Sequence, residues 1–179
     1  LPEAIAVGTN SYARTGAIEI GAHTLAENQI AIGDTTADKL RQFGVASTTL
    51  GTNSYTGGGF ATTIGSYNVQ TNQYEAKKDH SDVLDATKNA FSTVIGTFNS
   101  NESLSSYDFT SGVANMISGT ANKVTNSNGA IVMGAGNSVK ESSSYIDASP
   151  YSKHFDSAAD MQKALMDGVA KSAGGATLV

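Results

Sequence analysis

Residues 48–65 read Thr-Thr-Leu-Gly-Thr-Asn-Ser-Tyr-Thr-Gly-Gly-Gly-Phe-Ala-Thr-Thr-Ile-Gly and hold two copies of one short phrase. The phrase is an apolar residue or Thr, any residue, an apolar residue and then glycine, and it ends at Gly51 and Gly65. Apolar residues two positions apart have the period of a β-strand. Glycine lets a chain turn with positive φ at little cost. The stretch therefore predicts a short strand ended by a glycine turn, twice in succession.

The same phrase returns along most of the chain, at spacings that cluster near 14 residues. An asparagine follows many of the glycines at the second or third position, where it tolerates a left-handed backbone. Short strand, glycine turn, short strand and polar turn make up one coil of a β-solenoid. We therefore predict an all-β solenoid, with Gly112 and Gly119 ending a weaker pair of phrases. The predicted turn glycines are Gly8, Gly21, Gly33, Gly51, Gly65, Gly96 and Gly134.

The composition fits a thin fold rather than an ordinary globule. Leu, Ile, Val and Phe together number 35 of 179 residues, whereas there are 24 alanines and 53 serines, threonines and asparagines. We expect the two apolar residues of each phrase, such as Ile5 and Val7, to point inward. Small residues would then lie on the outer face, where they let another copy of the chain approach closely. These are Ala4, Ala6, Ala17, Ala31 and Ala61.

Charge and motif content exclude several functions. A net charge of −5 without a basic run argues against nucleic-acid and membrane-surface binding. The chain has no cysteine, and its three histidines, His23, His80 and His154, have no metal-ligand spacing. Gly57-Gly58-Gly59 lacks the Lys-Ser/Thr of a phosphate-binding loop. We expect no catalysis, no cofactor and no metal, and we read no export leader at Leu1.

The in-phase repeats resemble the head domains of trimeric autotransporter adhesins of the YadA-like class. The resemblance is carried by the Ile-x-Ile-Gly phrases, the Gly-x-Asn-Ser turns and the step of about 14 residues, strongly over 4–70 and moderately over 92–140. It implies a left-handed parallel β-roll, three identical chains in one head, and binding to host matrix proteins (collagen, fibronectin) or CEACAM-type receptors. It also implies a bacterial cell-surface location, with the outer-membrane anchor in a C-terminal region that this chain lacks.

Two insertions and a tail depart from the repeat, so we divide the chain into a head at 1–141, with insertions at 34–47 and 71–91, and a segment at 142–179. Insertions in solenoids emerge as loops and commonly carry binding. In the tail, Asp156 or Ser157 can cap a helix to about Ala170 that packs on the head or starts a stalk. Its apolar stripe is Phe155, Ala158, Met161, Leu165 and Val169. The candidate partner-binding residues are Arg41, Phe43, Tyr74, Lys77, Lys78, His80 and Asp82.

Three other repeat architectures compete with this interpretation. A left-handed helix of hexapeptide repeats, as in acyltransferases, needs 18 residues per coil, and only one spacing here has that value. An ice-binding solenoid needs a regular threonine ladder; Thr48, Thr49, Thr62 and Thr63 hint at one, but Ile takes the leading position in most coils. A structural shaft segment of a phage or surface fibre is also a trimeric β-solenoid and stays open as the alternative.

Overall fold

The structure is a computed structural model, and it is built almost entirely of short parallel strands in two sheets. The residues that it describes are 4–13, 16–22, 25–26, 47–72, 89–103, 112–142, 156–172 and 177–178. The chain belongs to the all-β class, as the repeated phrases predict. Within the described residues, one sheet has eight strands and the other has seven.

The chain alternates between the two sheets. The eight-stranded sheet is called the first sheet and the seven-stranded sheet the second sheet. A strand of the first sheet and the strand of the second sheet that follows it are together called a circuit. The first sheet holds β1 (Ile5–Val7), β3 (Ile18–Ala22), β5 (Thr48–Thr52), β7 (Thr62–Ser66), β9 (Thr93–Thr97), β11 (Met116–Thr120), β13 (Ala130–Ala135) and β15 (Thr177–Leu178). The second holds β2 (Tyr12–Ala13), β4 (Leu25–Ala26), β6 (Tyr55–Thr56), β8 (Val69–Asn72), β10 (Ser100–Ser103), β12 (Lys123–Thr125) and β14 (Ser138–Lys140).

The predicted turn glycines align side by side across the first sheet, but the strands do not end at them, since Gly51 and Gly65 are each followed by one more residue of the same strand. Gly51 pairs with Gly21 on one side and Gly65 on the other, and its φ of 150° lies in a region that side chains rarely adopt. A Cβ built on Gly51 would overlap the carbonyl oxygen of Gly65. The glycine column therefore permits the close stacking of successive circuits. Gly33 lies outside the described residues, and Gly112 occupies the turn before β11, so its assignment to a strand phrase is wrong.

One facing pair of side chains recurs in the interior of successive circuits. Positions are counted from the glycine of each first-sheet strand. The residue at −2 in the first sheet faces the residue at +5 in the second sheet. Thr63 is hydrogen-bonded to Gln70 in this way, and Ile117 lies with Val124 in the apolar cluster. These residues are fully buried. The polar pairs lie in the middle of the described circuits, and Val94, Ile117, Val124, Val132 and Val139 line the later ones.

The predicted orientation of the strands is wrong. The apolar residues at −3 and −1 point outward, since Ile18 and Ile20 are 37% and 40% exposed, while Glu19 between them is fully buried. Ala17 and Ala61, which we expected on the outer face, are fully buried at the turn before each strand. Polar side chains such as Thr49, Thr56 and Thr63 are held inside by hydrogen bonds to one another, so the inward positions do not have to be apolar.

The C-terminal helix is confirmed near its predicted bounds. Helix α1 runs over Ala158–Ser172. The Ser157 hydroxyl accepts a hydrogen bond from the Asp160 amide at 3.1 Å, so Ser157 is the N-cap. The side chains of the predicted apolar stripe lie outside what the structure describes, so its packing stays a prediction. Strand β15 was not predicted; Leu178 pairs with Ile131 of β13.

Candidate interaction surface

The partner-binding residues predicted from the insertions all lie outside the described residues. These are Arg41, Phe43, Tyr74, Lys77, Lys78, His80 and Asp82. The structure does place the ends of the second insertion in the framework. Asn72 closes β8, and Asn89 is fully buried, with its Oδ1 2.6 Å from the Ser103 hydroxyl that donates to it. Of the second insertion, the structure thus describes 71–72 and 89–91, and the candidate binding residues belong to the stretch 73–88 between them.

The outer face of the first sheet carries exposed apolar side chains in every circuit from β1 to β13, interrupted by Thr48, Thr62, Thr93 and Ser118. The residues at −3 and −1 before each glycine form two columns on this face, which is called the apolar face below. No charged side chain points outward in these columns within the described strands, since Glu19 points inward. Its exposed large members are Ile5, Val7, Ile18, Ile20, Leu50, Ile64, Ile95, Met116 and Met133. Contiguous apolar surface of this kind marks an interaction site.

The outer face of the second sheet has a different chemistry. Lys123 on β12 forms an ion pair with Glu102 on β10 at 3.2 Å, and Lys140 and Glu141 follow at the end of β14. Ser100 and Ser138 stand on the same face, in register with Lys123. The same row of the second sheet continues through Val69 and Tyr55, which are in register with Ser100. The outer face of the second sheet is therefore polar over β10, β12 and β14 and more apolar towards β6.

Two aromatic pairs flank the apolar face. The rings of Tyr67 and Phe98 lie 5.4 Å apart, and those of Phe60 and Phe91 lie 5.7 Å apart. All four residues have positive φ, between 53° and 59°, at turn positions in neighbouring circuits. Tyr67 and Phe98 are more than half exposed.

The described residues show no metal-ligand cluster and no membrane-spanning helix. No group of three or more His, Asp or Glu side chains among them is arranged to hold a metal ion. Across that same part of the chain, no helix combines the length and apolar character needed to cross a membrane. What the described surface offers is contact: an apolar face, an adjoining polar column and the aromatic turns.

Sequence reasoning missed both the apolar face and the aromatic pairs. The signal for the aromatic pairs was present, since Tyr67 and Phe98 stand at the second position after a glycine, where Asn10 and Asn53 stand in other circuits. A large ring at a position that favours asparagine or glycine indicates a role outside the turn itself. The sequence carries no such signal for the outward direction of the isoleucines. Alternation with a period of two shows that a strand has two different faces but does not say which face is buried.

Comparison with protein-family models, with curated proteins and with solved structures gave no significant match.

Proposed function

We propose that the chain is the head of a bacterial surface adhesin, a left-handed parallel β-roll solenoid that assembles as a homotrimer and binds a host protein. In this proposal it performs no catalysis and needs no cofactor. The host ligand is an extracellular-matrix protein or a cell-surface receptor of the collagen, fibronectin or CEACAM type. The resemblance of the repeats to YadA-like heads supplies the adhesive role and the cell-surface location.

The apolar face is the observation that carries the proposed assembly. Exposed apolar side chains recur at these two strand positions from Ile5 to Met133, with threonine or serine at one of the two positions in β5, β7, β9 and β11. Burying apolar surface contributes about 25 cal/mol per Å², so a face of this length strongly favours association. The occupant is a further copy of the same chain, because a partner with the same repeat presents matching columns at the same spacing.

The length of the strands suits a three-fold arrangement. The strands β5, β7, β9 and β11 each have five residues, which is a length of about 17 Å. If three such sheets form the sides of a triangular prism, each lies about 5 Å from the axis, half the ~10 Å that separates packed sheets. Outward side chains at −3 and −1 then fill the prism. Long exposed apolar faces are removed by this closed symmetry.

The host-binding role is tested with the whole chain on immobilised collagen, fibronectin and CEACAM-type ectodomains. We expect saturable binding to at least one of them. A variant in which 73–88 is replaced by a short Gly-Ser linker should lose it if the second insertion carries the contacts. Undiminished binding by this variant would move the contact to the sheets and turns. Absence of binding to every host surface tried would contradict the adhesin proposal and favour the structural fibre segment.

Avidity provides a second test of the same proposal. Three linked sites raise apparent affinity by orders of magnitude over one site. We therefore expect Ile95→Asp, which places a charge in the apolar face, to bind host protein at least tenfold more weakly than the unmodified chain. The matched control is Ser100→Asp in the same circuit, which adds the same charge to the outer face of the second sheet and should bind normally.

A further inference from the structure

The two aromatic pairs occur at opposite ends of the same two strands of the first sheet. Phe60 precedes β7 by two residues and Tyr67 follows it directly; Phe91 and Phe98 hold the equivalent positions around β9. In the neighbouring described circuits the same turns carry small or polar residues. These are Gly16, Ala114 and Gly129 before the strands, and Asn10, Asn53, Ala121 and Gly136 after them.

The aromatic residues at both ends of β7 and β9 adopt an unfavourable backbone conformation. A non-glycine residue with φ near +55° is strained unless it is asparagine or aspartate, and bulky rings are among the least suited. Tyr67 and Phe98 are also 51% and 58% exposed, which leaves much of each ring in water. Phe91 packs partly on buried Val113, so the rings at the start of the strands have some support within the chain. The rings at the far end, Tyr67 and Phe98, are largely supported by each other.

A cyclic assembly about an axis parallel to the stack of circuits explains why the aromatic residues share the same circuits. Rotation about such an axis leaves each circuit at its own level. The end of a strand in one copy therefore meets the start of the same strand in the next copy. Tyr67 and Phe98 are then brought to the level of Phe60 and Phe91 of the neighbour.

We propose that, in the assembly formed through the apolar face, Tyr67 and Phe98 of each chain pack against Phe60 and Phe91 of the adjacent chain. The occupant of the aromatic turns is thus a second copy of this chain, and the contact lies beyond the ends of β7 and β9, past Ser66 and Thr97. Aromatic rings 4.5–7 Å apart attract one another beyond the area they bury. The contact sets the alignment of neighbouring chains along the symmetry axis, so that each circuit lies beside the same circuit of the next chain. This inference rests on the proposed self-association.

Cross-linking tests the contact cleanly because the chain has no cysteine. The variant Tyr67→Cys with Phe60→Cys is treated in solution with a short thiol-specific bismaleimide. The two sites of one chain are separated by a whole strand, about 20 Å, so a short linker joins different chains only. We expect covalent products up to three chains in denaturing electrophoresis. The single variants Tyr67→Cys and Phe60→Cys should give no product, since neither site meets its own copy.

A level-shifted pair is the matched control. Ala121→Cys with Phe60→Cys moves one thiol two circuits along the same turn column, about 10 Å, and should cross-link at least tenfold less. If sedimentation gives a trimer but the Tyr67→Cys/Phe60→Cys pair forms no covalent product, the aromatic contact is wrong and the proposed assembly survives. If sedimentation gives one chain, the proposed assembly itself fails.

A second variant keeps the inference testable if the cysteine variants fold poorly. Tyr67→Asn with Phe98→Asn introduces the residue that Asn53 supplies at this turn in the preceding circuit. Because asparagine suits this backbone, folding is retained, and the concentration for half-dissociation of the assembly should rise about tenfold through the lost ring contacts. Unchanged dissociation in a well-folded variant would overturn the inference.

Discussion

The side-chain oxygen of Asn68 accepts two hydrogen bonds from Asn99 in the next circuit, one from the backbone amide and one from the side-chain amide, both at 3.0 Å. Asn99 repeats the arrangement with Asn122, and Asn122 repeats it with Asn137. Each of the first three side chains also donates to the carbonyl of a glycine of the first sheet, as Asn68 does to Gly96 at 2.7 Å. The asparagines thus tie successive circuits together at a buried corner.

Removing one inner asparagine should destabilise the fold strongly. Asn99→Ala removes five side-chain hydrogen bonds and leaves a buried backbone amide of Asn122 without its acceptor. Buried groups without partners are expensive, so we expect a loss of about 3 kcal/mol in the free energy of unfolding. Urea unfolding at one fixed protein concentration measures it, since association adds to apparent stability. Asn137→Ala, at the end of the ladder, should cost only about 1 kcal/mol; equal losses would contradict the ladder.

Adjacent threonines of β7 test which face of the strand is inside. The hydroxyl of Thr63 accepts hydrogen bonds from Thr56 at 2.6 Å and from the Gln70 amide at 2.9 Å. Thr63→Val therefore removes two buried hydrogen bonds, and we expect it to cost about 2 kcal/mol. Thr62→Val, the same change on the outward side, should change stability by less than about 0.5 kcal/mol. If Thr62→Val lowered the urea midpoint more than Thr63→Val, the result would favour the strand orientation first expected from the sequence.

The glycine column should tolerate no side chain. Gly96 has φ of 125°, and a Cβ there would overlap the carbonyl oxygen of Gly119, so Gly96→Ala must shift the neighbouring circuit. We expect a loss above about 3 kcal/mol in the free energy of unfolding. Gly136→Ala is the control, because its Cβ would meet nothing within 4 Å and only its φ of 70° is unfavourable. That variant should lose about 1 kcal/mol. Thermal unfolding followed by circular dichroism compares the two variants. Equal stability of Gly96→Ala and Gly136→Ala would contradict the prediction.

Much of the local structure followed from the sequence. The glycine phrases predicted the strands, because a period of two ended by glycine at regular spacing has few other solutions. Ser157 predicted the start of α1, since the serine side chain can cap a free backbone amide. Both are local features whose physical causes lie within a few residues of one another.

Which face of each strand is buried could not be predicted from the sequence, and the reason is physical. An isoleucine such as Ile64 looks like a core residue, yet it is 37% exposed in the structure. Thr63 looks like a surface residue until its hydrogen bonds to Thr56 and Gln70 are known. The contact residues of the insertions depend on loop geometry that the repeat does not determine, so they stay predictions.

A charge in the middle of the apolar face should dissociate the assembly without unfolding the chain. Ile95 is 37% exposed in the single chain, so Ile95→Asp can keep its carboxylate in water there but not in a packed prism. We expect unchanged far-ultraviolet circular dichroism and loss of the trimer at micromolar concentration. Ser100→Asp should remain assembled. Loss of secondary structure in Ile95→Asp at full dilution would mean that the chain cannot fold alone.

The mass of the unmodified chain in solution tests the central claim most directly. Sedimentation equilibrium over a range of concentrations should give three times the 18.4 kDa of one chain, with dissociation only on strong dilution. A mass of 18.4 kDa at every concentration would leave the isoleucines of the first sheet exposed to water and would contradict the account.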